Sequence, residues 1–140
     1  MKLYHGSNID GLACLDPQKG IFDPNDWAGI YPNGEKIGRE VVWCTPEFEI
    51  AIAFALKDFV EDLAVDGRSG ILYVKSKTSL TSDMKGYVYT IPQGIAFEKV
   101  NELEYFSRNK IPVSSCETVS IDSFTTYQVE IVEKFPFEEE

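Results

Sequence analysis

Apolar and polar positions alternate in short runs along most of this chain, and one stretch alone carries apolar residues at a helical interval. Leu3-Tyr4-His5 predicts a short first strand, and Glu40-Val41-Val42-Trp43-Cys44 a strand of buried character. Between them, residues 6–39 predict a long irregular stretch, punctuated by Asp16-Pro17, Asp23-Pro24, Gly29 and Pro32-Asn33-Gly34. Loops of this length in a compact domain are as a rule functional or mobile. Trp27 and Tyr31 within it could close over a bound ring or pin the loop to the core.

Thr45-Pro46 reads as a helix start, with Thr45 at the N-cap and Pro46 at the first helical position. Glu47 and Glu49 then complement the helix dipole from the first turn. Phe48, Ile52, Ala55, Phe59 and Leu63 form one stripe, which predicts a principal helix over about 46–64 that stops by Gly67. The remainder reads as strands over 70–76, 86–91, 95–100 and 104–107, with 117–121 and 125–132 as a closing pair. One early helix followed by many short strands predicts an α+β fold, and no repeat or linker interrupts a single domain over 1–140.

Composition narrows the partners. An apolar fraction of 44% and an aromatic fraction of 13% are those of a folded domain. Acidic residues outnumber basic ones by 23 to 13, for a net charge of -10, and no basic run appears. Such a surface repels a phosphate backbone, which argues against general nucleic-acid binding. The start lacks a long apolar leader, and the longest apolar run, 50–56, is too short to cross a membrane. Cys14, Cys44 and Cys116 are odd in number and widely spaced, so they predict buried free thiols and a cytoplasmic location. They offer no metal-type pattern, and a catalytic cysteine would have only His5 as a partner.

The candidate chemistry begins with His5-Gly6-Ser7. His5 is the only histidine, Gly6 places no β-carbon between the backbone and a ligand, and Ser7 adds a hydroxyl. A strand ending in this trio brings three polar groups to one point of a sheet edge, suited to a flat amide or a ribose. A structural hydrogen bond for His5 is the competing reading.

Three segments together resemble the ADP-ribosyltransferase fold, in its poly(ADP-ribose) polymerase and diphtheria-toxin branch. They are Leu3-Tyr4-His5-Gly6-Ser7, then Val41-Val42-Trp43-Cys44-Thr45-Pro46 with Ala51-Ile52-Ala53-Phe54, then Glu102-Leu103-Glu104-Tyr105-Phe106-Ser107. The resemblance implies an NAD site in a cleft between two small, packed, mainly antiparallel sheets. It implies that Gly6 holds the nicotinamide carboxamide, that His5 and Ser7 bond ribose hydroxyls, and that Phe54 stacks where the branch carries a tyrosine. Thr45 joins these as a cofactor-binding candidate, its alternative role being the helix cap. Ala51 stands where the polymerases often have a serine.

Loss of nicotinamide develops positive charge on the ribose, and a nearby carboxylate stabilises it. Glu104 is the first choice, together with His5 as a catalytic residue; Glu102 and Glu117 are alternative carboxylates. The implied activity is NAD-dependent transfer of ADP-ribose, without a metal, to an acceptor for which a protein is the first choice. The alternative is a non-catalytic module of the same fold that binds NAD, ADP-ribose or a protein. An RNA 2′-phosphotransferase relative fits poorly with so acidic a chain.

Overall fold

A computed structural model describes residues 1–17, 29–30, 32–37, 41–76 and 78–137. Trp27 and Tyr31 lie outside the described residues. The described strands are β1 (Leu3–Ser7), β2 (Cys14–Leu15), β3 (Gly29–Ile30), β4 (Lys36–Ile37), β5 (Val42–Cys44), β6 (Asp62–Asp66), β7 (Ile71–Lys75), β8 (Gly86–Ile91), β9 (Glu98–Lys99), β10 (Tyr105–Ser107), β11 (Ile111–Pro112), β12 (Ser115–Val119) and β13 (Gln128–Val132). Among the described residues there is one α-helix, α1 (Phe48–Ala55), which precedes a short 3-10 turn over Lys57–Phe59; a second such turn spans Ile121–Ser123. The fold is α+β. Its strands form several small sheets, ordered β1-β8-β12, β5-β10-β9, β13-β7-β6, β11-β2 and β3-β4, where two had been expected. Among the described strands, all pairings are antiparallel except β13 with β7.

The first sheet separates two cores. Leu3, Tyr89 and Ile91 face one side, where they pack with Leu15, Val42, Cys44, Tyr105 and Ile111. Val88 and Val119 face the other side and meet Ala51, Ile52 and Ala55 of α1. Helix and sheet approach closely there. A β-carbon on Gly6 would lie 2.1 Å from the Ala51 carbonyl oxygen, and one on Gly86 would lie 2.5 Å from that of Ala55. The opposite flank of α1, Ile50 and Ala53, packs on Leu72 and Val74 of the β13-β7-β6 sheet. A helix covered on two flanks accounts for the unbroken apolar run from 50 to 56.

The helix is shorter than the stripe predicted. It ends at Ala55, and residues 62–66 form β6, paired with β7 from Asp62↔Lys75 to Asp66↔Ile71. Asp62-Leu63-Ala64-Val65-Asp66 also alternates at a period of two, and in that register Leu63 and Val65 join the core beside Leu72 and Val74. Strand pairing thus supplies both backbone partners and burial, and it overrides the helical stripe. The helix start differs too. Glu47, not Thr45, is the N-cap, and the Thr45 hydroxyl accepts the Glu47 N–H at 3.2 Å in a turn preceding the helix.

The expected closing pair is also corrected. β12 pairs with β8, while β13 pairs in parallel with β7 in another sheet. The strand expected over 95–100 reduces to β9, and β2 lies within the stretch read as irregular. Cys44 is buried, Cys14 partly so, and Cys116 is exposed, against the expectation of three buried thiols. Among the described residues, no helix is long and apolar enough to cross a membrane.

Candidate functional site

The edge of β1 away from β8 opens onto a pocket of about 230 Å³. Its walls come from four places in the sequence: Tyr4, His5 and Gly6 on β1; Trp43, Cys44 and Thr45 at the end of β5; Phe54 near the end of α1 with Lys57 in the 3-10 turn after it; and Leu103 and Glu104 before β10. Local pairing explains how these segments meet. Tyr4 and Thr45 exchange two backbone hydrogen bonds, at 2.8 and 2.9 Å, which ties β1 to the end of β5. Tyr105↔Cys44 and Phe106↔Trp43 then place β10 on the other side of β5, with Glu104 level with Thr45.

Gly6 carries the most specific polar geometry. Peptide groups along a strand point alternately to its two edges. Tyr4 directs both of its groups at Thr45, so Gly6, two residues on, directs its N–H and C=O to the same edge, past the point where the chain turns into Pro46. Among the described residues neither group has a partner. The missing side chain itself serves another purpose than the sequence suggested. The space a β-carbon would take is filled by the Ala51 carbonyl, not left open to a ligand.

His5 donates from Nδ1 to the Trp43 carbonyl oxygen at 2.5 Å. Because a carbonyl can only accept, Nδ1 carries the proton. Burial lowers the pKa of the ring; the Trp43 bond raises it, the neighbouring Lys57 charge lowers it, and the net direction is below the usual histidine value. His5 is therefore neutral at pH 7, and Nε2 is left as a hydrogen-bond acceptor.

Phe54 is 43% exposed and presents its ring to the pocket instead of the core. Ala51 is fully buried beneath Gly6. Thr45 lines the pocket, but its hydroxyl is engaged at the helix start. The Cys44 thiol, also on the wall, is pushed by burial up to about 12, so it is protonated and a poor nucleophile at neutral pH.

Glu104 is exposed on the pocket wall. Its backbone is well anchored, since its carbonyl accepts the N–H of Val100 at 2.9 Å and of Asn101 at 3.3 Å. The other candidates lie elsewhere. Glu102 is exposed and pairs with Lys99 at 2.8 Å. Glu117 sits on β12, two strands from Gly6, about 10 Å away by strand spacing. Ser7 is buried off the pocket, and its hydroxyl accepts the Ile9 N–H at 3.1 Å.

Two polar residues stand out only in three dimensions. Lys57 follows Phe54 by three residues and reaches the same pocket; helical spacing from Phe54 was the available signal. Glu49 is buried, and its carboxylate accepts the N–H groups of Thr125, Thr126 and Tyr127 at 2.9–3.1 Å, which reads in sequence only as a dipole partner. Among the described residues, no three His, Cys, Asp or Glu side chains gather where they could hold a metal ion. Comparison with protein-family models, with curated proteins and with solved structures finds no match. The function is read from the pocket itself.

Proposed function

We propose that this chain is an ADP-ribosyltransferase-like protein that binds NAD and transfers ADP-ribose to an acceptor, with a protein as the first choice. One observation carries the reading: His5, Gly6, Phe54 and Glu104, scattered over a hundred residues, line one pocket. The unpartnered N–H and C=O of Gly6 match the acceptor and donor of a flat carboxamide. Phe54 supplies a stacking face for a pyridine ring. The Nε2 of neutral His5 accepts from a ribose hydroxyl, and Nδ1–H on Trp43 keeps the ring in that tautomer.

Glu104 is the only carboxylate on the pocket wall among the described residues. It supplies the fixed anion that the ribose requires as nicotinamide departs, and it can orient a ribose hydroxyl or the incoming nucleophile. Cys44, held protonated, takes no part in that step.

A specific observation favours a second reading, a pocket that binds without turnover. Ala51 is fully buried and without a hydroxyl, and Phe54 has no phenolic oxygen, so two polar groups expected near the ring are absent. Incubation of the protein with NAD, followed by mass spectrometry for free nicotinamide and for ADP-ribose added to protein, separates the two. Transfer predicts nicotinamide release, and Glu104→Gln that keeps NAD binding while losing about 100-fold or more in turnover. Binding without release supports the second reading. Equal turnover in Glu104→Gln removes that carboxylate from the chemistry, and absence of NAD binding refutes both readings.

A further inference from the structure

We infer that Lys57 is the specificity-determining residue of this pocket: its ammonium at the mouth holds the phosphate of a nucleotide whose base and sugar occupy the interior. The inference rests on the NAD-binding reading and names the part of the ligand that reading leaves unassigned. Size is the first ground. At about 230 Å³ the pocket falls below the ~300–1,000 Å³ of sites that enclose a drug-sized ligand. It therefore takes a nucleoside-sized fragment, and whatever is attached to that fragment lies across the rim.

Charge is the second ground. Lys57 is exposed yet lines the pocket, and it is the one cationic side chain among the described residues that do. Its neighbour Asp58 is the natural competitor for that ammonium, but the Asp58 carboxylate takes the Asn8 side-chain amide instead. Among the described residues Lys57 has no ion pair. Its backbone is fixed in the turn that ends α1, where the Phe59 N–H bonds the Leu56 carbonyl at 2.9 Å and the Val60 N–H bonds that of Lys57 at 3.3 Å.

The acidity of the chain gives this lysine its selectivity. A net charge of -10 repels free anions, so one exposed ammonium gathers little phosphate by itself. A phosphate tethered to a ring already seated between Gly6 and Phe54 is delivered at high effective concentration, and the lysine then adds to affinity. The site thus distinguishes a nucleotide from the corresponding nucleoside.

The test compares NAD, nicotinamide riboside and nicotinamide by calorimetry on the full chain, with wild type, Lys57→Gln and Lys57→Glu. Wild type is expected to bind NAD about three- to tenfold more tightly than the riboside, with the margin narrowing as salt is raised. Uncharged nicotinamide should change least in both variants, whereas the cationic riboside should bind no more weakly, and to Lys57→Glu more tightly. Lys57→Gln should lose the NAD preference, and Lys57→Glu should reverse it. A preference that survives Lys57→Gln, or an equal loss for riboside and NAD, overturns the role of Lys57 while leaving the pocket assignment standing. Failure of wild type to bind any of the three overturns the assignment and the inference together.

Discussion

Glu49 offers the sharpest test of how this fold is held together. Its carboxylate crosses from the first turn of α1 to the segment before β13 and accepts three consecutive backbone N–H groups. Burial raises its pKa, but the Thr126 side chain and the Tyr127, Thr126 and Thr125 amides favour the charged form more strongly, and the net direction is below the usual carboxylate value. A hydrogen bond to a charged group contributes about 1.5–3 kcal/mol, but Thr125 and Thr126 are exposed, so water replaces part of what is lost. Glu49→Gln keeps one acceptor oxygen and turns its NH2 toward the Thr126 N–H, for a loss of about 1–2 kcal/mol; Glu49→Ala removes every acceptor, for about 2–4 kcal/mol.

Thermal unfolding followed by circular dichroism reads these as drops of very roughly 4 °C per kcal/mol. The pH dependence has a definite sign. A carboxyl whose pKa is lower folded than unfolded stabilises fully above the unfolded value, near ~4.3, and that stability is lost as pH falls through the folded value. The gap between wild type and Glu49→Gln should be constant from neutral pH down to about pH 5 and close below it. Equal midpoints at pH 7, or a gap unchanged in acid, would refute the argument.

Gly6→Ala forces a β-carbon to within 2.1 Å of the Ala51 carbonyl oxygen, so helix and sheet must separate; a loss of more than about 3 kcal/mol in denaturant unfolding is expected, and a near-neutral effect would show that α1 does not sit on β1. With a thiol reagent at pH 8, exposed Cys116 should react within the mixing phase and Cys44 only on unfolding, its thiol being held up to about 12; similar rates at both would contradict the burial of Cys44.

Much of this protein was legible in sequence where a segment carries its own partner or its own punctuation. β8 coincides with the expected 86–91, since Tyr87-Val88-Tyr89 between Gly86 and Pro92 suits a strand and nothing else. β1, β5 and β7 followed from similar runs of apolar residues bounded by turn chemistry. His5, Gly6, Phe54 and Glu104 were nominated together, from the resemblance of their three segments, in that order along the chain, to one fold.

What only the tertiary structure decided is whatever depends on a partner distant along the chain. Residues 62–66 satisfy both a helical stripe and a strand alternation, and it is β7 that selects the strand. Gly6 looks like a ligand contact in sequence, but its lack of a side chain answers to a helix 45 residues away. The tautomer of His5 is set by a carbonyl at residue 43, and no side-chain pattern encodes a backbone acceptor. Local preference reaches only as far as neighbouring residues, so sequence could nominate the members of the pocket. Their convergence on one hollow is a consequence of sheet register and packing.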